Sequence, residues 1–342
     1  MKILREVFEL PDPDWADSWS RCRTEDPVTA ELPESARAYS WTSAATIDAI
    51  TEAAGDLLMF HAAGVSDAEG RVAALVAPSG TGKSTASIAL CTDRYGYVTD
   101  ETVAVNPDGS VLPFPKPIAL HQSSTDSQEF KDHLSPDALG LRHAPARLRL
   151  AGLIVLKRRT EPGPVQVELL STAYGVGAVI ENMSAVSQLT DPLAHLVTTI
   201  QACGGVHEVS YSDAADLAGP VQQALQAAPQ SIAWVHHPGT ASPQPDAGDP
   251  EAGKWRRSAY ADAIETEDTL LLLQGQQFRA LAGIAATLWL AAGAPRTESE
   301  LVTALVEAHG PHPDAAELTR SVLVELVAAG VLETLPSEVR AL

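Results

Sequence analysis

Basic residues are scarce in this chain. Over 342 residues, 23 Lys and Arg stand against 44 Asp and Glu, for a formal net charge of −21. Nucleic acid and anionic membrane surfaces are held largely by Lys and Arg neutralising phosphate, so this balance argues against either partner. Cysteine is scarcer still. Cys22, Cys91 and Cys203 are odd in number and far apart, and no Cys and His cluster has zinc spacing, so small buried hydrophobes in a reducing compartment are expected. No uninterrupted apolar stretch is long enough to span a bilayer, and Met1-Lys2-Ile3-Leu4-Arg5-Glu6 lacks the apolar run of a signal peptide. The expected location is cytoplasmic.

What the chain does have is a phosphate-binding loop, Ala77-Pro78-Ser79-Gly80-Thr81-Gly82-Lys83-Ser84-Thr85. It follows a buried-strand pattern from Gly70 to Val76 and precedes a helical pattern from Ser84 to Leu90, whose N-terminus would face an anion. Glycines let the backbone fold tightly enough for successive N–H groups to point at phosphate oxygens, Lys83 adds a point charge, and Ser84 offers Mg²⁺ an oxygen. Ala77 replaces the first glycine of the usual pattern, a tolerated change because the turn depends more on Gly80 and Gly82. The acidic pair Asp100-Glu101 follows Lys83 by 17 residues, room for one helix and a turn. Mg²⁺ prefers one or two carboxylates together with phosphate oxygens and waters, and the pair suits it.

Around this nucleus, Leu57 to Val65 is an apolar run carrying His61, which leads through the turn Asp67 to Gly70 into the loop strand. His61 reads equally as a hydrogen-bonded core histidine or a functional one. Tyr95 to Val105 is expected to put both carboxylates on a strand, and Asn106-Pro107-Asp108-Gly109 starts a hairpin return. Lys116, set between prolines, either reaches a phosphate or sits on an exposed turn. Strands are expected over 148–156 and 165–170, and helices over 173–183, 192–203 and 213–227.

Pro and Gly punctuate 229–255, which reads as a linker between a domain at 1–228 and one at 256–342. In the latter, Tyr260 to Glu265, Thr269 to Leu273 and Gln277 to Leu281 read as strands. Helices follow from Gly283 to Ala292, from Thr297 through His309, and from a cap at Asp314 through Ala329; Gly330 ends the last, and Val331 to Leu335 returns as a wing strand. Residues 256–342 hold six Lys and Arg against twelve Asp and Glu, which disfavours a winged-helix DNA binder.

Four blocks, His61-Ala62-Ala63-Gly64-Val65, Ser79 to Thr85, Gly96-Tyr97-Val98-Thr99-Asp100-Glu101 and Pro113-Phe114-Pro115-Lys116-Pro117, occur here in an order and spacing that resembles the catalytic domain of the HPr serine kinase/phosphorylase family. The likeness covers about residues 55–120, with a weaker pattern to 228. It implies an α/β fold, an HPr-kinase-like P-loop nucleotide-binding domain of the phosphoenolpyruvate-carboxykinase type. By that resemblance ATP lies on Ser79, Gly80, Thr81, Gly82, Lys83, Ser84 and Thr85, and Mg²⁺ on Ser84 with one carboxylate of Asp100 and Glu101. The other carboxylate, foremost Asp100, takes the proton of an acceptor hydroxyl, and His61 lies near the phosphates. The family has two aspartates where this chain has Asp-Glu, and neither its Glu-x-Arg-Gly-x-Gly segment nor its later arginine loop is found here.

The βββααα order of 256–336 resembles PqqD-like domains, small α+β winged-helix modules that recognise leader peptides of ribosomally made, post-translationally modified peptides. This implies that a leader adds as a strand along Gln277, Phe278, Arg279 and Ala280, in a groove lined by Arg320, Leu323 and Val324. Exposed strand edges template such pairing. The two resemblances together imply an ATP-dependent kinase acting on a hydroxyl of its captured precursor peptide. The alternatives are a non-catalytic adaptor that presents the precursor to a separate modifying enzyme, and a small-molecule kinase with a regulatory tail; residues 256–342 taken alone also read as a docking or oligomerisation module without a ligand of its own.

Overall fold

The computed structural model describes residues 34–78, 80–120, 132–240 and 253–335. Ser79, expected among the phosphate-binding residues, lies outside them. The described residues form a mixed α/β protein that divides into two units. Residues up to Thr190 with His195–Ser231 make the first, and Asp191–Ala194 with residues from Ile232 onward make the second. No helix among the described residues is long and apolar enough to cross a membrane.

The first unit opens with helix α1 (Glu34–Ala53), which the sequence reading does not anticipate, and then strands β1 (Leu58–Phe60), β2 (Ala62–Ser66) and β3 (Arg71–Val76). The apolar run from Leu57 to Val65 is thus two strands in different sheets, broken at His61, whose N–H donates to the Asn182 carbonyl at 2.7 Å. β2 turns into β3 because the Asp67 carboxylate accepts from the backbone N–H groups of Glu69 and Arg71 at 3.1 and 2.9 Å. After the glycine-bearing loop come α2 (Lys83–Asp93), β4 (Gly96–Thr99), β5 (Val103–Val105), β6 (Val111–Leu112), β7 (Ile118–Leu120), β8 (Asp132–Leu134) and β9 (Arg149–Arg158). Then follow β10 (Gln166–Leu169), α3 (Thr172–Ile180), β11 (Met183–Ser184), α4 (Pro192–Ala202, which belongs to this unit from His195 on), β12 (Val206–Tyr211) and α5 (Ala218–Leu225).

A mixed six-stranded sheet runs β10-β12-β9-β3-β2-β4, in which β3, β9 and β12 are mutually parallel and the other pairings antiparallel. β11-β1-β5-β6 forms a second, antiparallel sheet. Ala63, Val65, Ala73, Leu75, Ile154, Leu156, Val209 and Tyr211 alternate onto one face of the large sheet and bury Ala86, Leu90 and Cys91 of α2. A buried leucine or valine of this kind contributes about 1.5–3 kcal/mol, so the helix that follows the loop is anchored over its length. Cys91 and Cys203 are free and buried, and burial pushes both thiols up to about 12, as befits apolar core residues.

In the second unit, β13 (Val235–Thr240), β15 (Tyr260–Glu265), β16 (Leu270–Gln274) and β17 (Gln277–Leu281) form an antiparallel sheet in the order β13-β15-β16-β17, while β14 (Trp255–Arg257) pairs with β18 (Leu332–Thr334). The linker expected at 229–255 therefore carries structure at both ends, and its residues 241–252 lie outside the described ones. Pro238 fits within β13 because proline is compatible with an edge strand, and among the described residues β13 pairs with β15 alone. Helices α6 (Gly283–Ala291), α7 (Glu298–His309) and α8 (Ala315–Ala328) complete the unit. A capping box between Thr297 and Glu300 starts α7, whereas Asp314 stands at the N-cap of α8 without a side-chain hydrogen bond. Trp289 is the centre of the core, with the Arg257 guanidinium 3.6 Å from its ring centroid and the Tyr260 and His237 rings edge-on.

Candidate functional site

Gly80 and Gly82 hold φ of 80° and 99°, the left-handed region in which a side chain is strained, and so let the chain turn from β3 into α2. Thr81 closes the turn by donating from Oγ1 to the Pro78 carbonyl at 2.6 Å. Lys83 is 7% exposed and its Nζ donates to the carbonyls of Ala77 and Pro78, at 2.6 and 3.2 Å. Burial lowers its pKa, against the pull of Glu101 and Asp100. Ser84 and Thr85 follow in the first turn of α2.

The acidic pair sits in a bend, not on a strand as expected. Thr99 Oγ1 accepts from the N–H groups of Glu101 and Thr102, at 3.1 and 3.4 Å, and this side-chain turn ends β4 before the carboxylates. Ala62 N–H bonds to the Glu101 carbonyl at 3.1 Å and pins the bend beside His61. Asp100 therefore faces the loop: Ser84 Oγ donates to its Oδ2 at 3.0 Å, and Tyr97 Oη to its Oδ1 at 3.2 Å. The same hydroxyl lies 3.1 Å from the Lys116 carbonyl, which shares the hydroxyl's single proton with Asp100.

Lys116 is buried, not exposed on a turn. Its ammonium lies 2.9 Å from Glu101 Oε2 and 3.5 Å from Asp100 Oδ1. Burial opposes its charge, but the two carboxylates outweigh burial and raise its pKa. Burial likewise opposes the Glu101 charge, yet Lys116, then His61 and Lys83, bring its pKa below the ordinary 4.5. His61 Nδ1 is 3.5 Å from Glu101 Oε1, a geometry that favours its protonation. Burial and Lys83 nonetheless win, and its pKa falls below 6.5.

Those directions set a pH dependence. Both groups bind protons more readily in the unfolded chain, so stability is lost on acidification, below about pH 6.5 for His61 and below about pH 4.5 for Glu101. Melting temperature is expected to fall from about pH 7 to about pH 5.5, and less steeply in His61→Gln. An equal slope in the variant, read by circular dichroism, would remove His61 from that account.

The structure thus brings together Gly80, Thr81, Gly82, Lys83, Ser84, Thr85, Asp100, Glu101, Lys116 and His61, and adds Tyr97, which the sequence reading missed. The two carboxylates differ in their surroundings. Asp100 is 5% exposed with both oxygens engaged, whereas the Glu101 side chain is 33% exposed. A Ser84 hydroxyl beside a carboxylate oxygen is a donor set that fits Mg²⁺.

In the second unit, β17 is an edge of its sheet. Gln277 and Ala280 are exposed, Phe278 and Arg279 half-buried. Arg279 is tied to Gln277 Oε1 at 2.6 Å and to the Ala329 carbonyl at 3.1 Å. Val324 is 65% exposed, and Arg320 pairs with Glu298 at 2.6 Å. Leu323 does not line a groove: at 2% exposure it belongs to the core with Trp289 and Leu326, because the inward face of α8 is 315, 319, 323 and 326.

Asp191, His236 and Asp262 place ligand-type atoms within 4.8 Å of one another. Asp262 is fully buried, and its carboxylate already has partners on both oxygens. His236 Nε2 lies 2.7 Å from Oδ1, and the N–H groups of Leu193 and Ala194 donate to Oδ2 at 2.8 and 3.2 Å. The trio is accounted for as a hydrogen-bonded structural cluster. No protein-family model matches the chain, and no curated protein matches it.

Proposed function

We propose that the first unit binds Mg-ATP and transfers its terminal phosphoryl group to a hydroxyl of a precursor peptide, whose leader is captured along β17. The observation that carries the reading is the single network joining the loop helix to the acidic bend, Ser84 to Asp100 to Lys116 to Glu101 to His61. Phosphoryl transfer asks little covalent chemistry of a protein, and positioned cations, a metal and one base suffice. Ser84 and Asp100 would hold Mg²⁺, which supplies charge neutralisation on the phosphate oxygens. Lys83 would leave its carbonyl partners for phosphate oxygens.

Glu101 would take the proton of the acceptor hydroxyl as its oxygen bonds to the γ-phosphorus and the bond to the β–γ bridging oxygen breaks, releasing ADP. Its lowered pKa keeps it ionised at neutral pH, and a loose transition state moves the proton late. Lys116 holds Glu101 in place. The HPr-kinase-like and PqqD-like sequence resemblances support this reading of the two units. Capture of the leader by the second unit would raise the substrate's effective concentration to about the millimolar range.

The test is calorimetric titration of the full chain with Mg-ATP, followed by incubation with γ-labelled ATP and the precursor. Binding is expected, and Lys83→Ala is expected to weaken it by roughly 100-fold. Absence of binding to the unsubstituted chain would sink the kinase reading. A second reading rests on the exposed edge of β17: an adaptor that binds the leader without transfer. Label on the precursor excludes it; Mg-ATP binding without label favours it.

A further inference from the structure

Because β3, β9 and β12 are parallel, the residues ending β9 and β12 emerge on the side of the sheet where the phosphate loop leaves β3. Those residues are Arg158 and Tyr211. A Cβ placed on Gly82 would lie 3.4 Å from Tyr211 Oη and 3.7 Å from Arg158 Nη1, so the guanidinium rests beside the loop residue that precedes Lys83. Neighbouring cations are committed elsewhere. Lys157 pairs with Glu208 at 2.9 Å, Arg159 donates to the Gly163 carbonyl at 3.2 Å, Lys83 is held by loop carbonyls and Lys116 by the acidic pair. Arg158 is exposed, and its side chain makes no hydrogen bond or ion pair among the described residues.

We propose that Arg158, with the Tyr211 hydroxyl beside it, is a second cationic contact for the phosphate chain seated on the loop. The inference rests on the reading of that loop as a nucleotide site. A guanidinium offers five donors in a planar fork that matches phosphate oxygens two at a time, which an ammonium such as that of Lys83 does not. The exposed, unpaired state of Arg158 means that no internal ion pair has to break before it engages. Tyr211 is buried with its hydroxyl against Gly82 of the loop, and burial raises its pKa, so it stays a neutral donor.

The experiment is calorimetric titration of the full chain with Mg-ATP, Mg-ADP and inorganic pyrophosphate. Arg158→Ala is expected to weaken all three by roughly tenfold or more, Arg158→Lys to recover part of the loss, Tyr211→Phe to weaken them a few-fold, and Lys157→Ala to match the unsubstituted chain. The affinity of Arg158→Ala should also fall less steeply with added salt, a response that a folding defect would not give. Unsubstituted chain that binds Mg-ATP, with Arg158→Ala binding as tightly, overturns the role of Arg158 and leaves the nucleotide site standing. Unsubstituted chain that binds none of the three probes overturns the nucleotide reading itself, and this inference with it.

Discussion

Replacing Glu101 with glutamine is expected to slow phosphoryl transfer by roughly 10³-fold while leaving Mg-ATP affinity within about threefold. The amide keeps the size and the contact with Lys116 but cannot take a proton. Asp100→Asn is expected to fail differently, because Asp100 stands against Ser84 at 3.0 Å, where its charge would serve the metal. There both Mg-ATP binding, by roughly 100-fold, and transfer should be lost. Single-turnover transfer of labelled phosphate and calorimetry on the two variants separate the effects. The reverse pattern, silence in Glu101→Gln and loss of transfer alone in Asp100→Asn, would restore Asp100 as the proton acceptor.

That pair also shows how far local sequence reaches. The loop was legible because its glycines, lysine and serine are consecutive, and the structure puts Gly80 and Gly82 at the positive φ the turn needs. Likewise Thr297 and Glu300, three apart, form the capping box that opens α7. The Asp100-Glu101 strand was misread because a threonine hydroxyl, Thr99 Oγ1, competes with the sheet for two N–H groups. Leu57 to Val65 looks like one apolar strand, and only the separate partners of β1 and β2, β5 and β11 for one and β3 and β4 for the other, divide it. Arg158 carried no signal at all. Its neighbourhood depends on β9 lying between β3 and β12, a long-range order that no local pattern encodes.

The second unit allows an equally sharp test at a single backbone N–H. The two-residue turn Gly275-Gln276 closes on the pair Gln274 and Gln277, and Leu273 faces Phe278, Leu272 faces Arg279 and Leu271 faces Ala280. In a hairpin of that loop length the closing pair is hydrogen-bonded and the pairs alternate, so the N–H and C=O groups of Phe278 and Ala280 point away from β16. Ala280→Pro therefore removes a donor from the open edge without removing one from the β16 ladder, where proline is tolerated. An added strand would lose that hydrogen bond, bury an unpaired carbonyl, and meet the pyrrolidine ring. Affinity for the leader of the precursor, labelled and read by fluorescence anisotropy, is expected to fall by roughly 100-fold. Melting temperature should change little, since Ala280 is exposed and the core around Trp289 is untouched. Full leader affinity in Ala280→Pro would mean that the peptide does not add to β17, and would move the search to the exposed face of α8 around Val324.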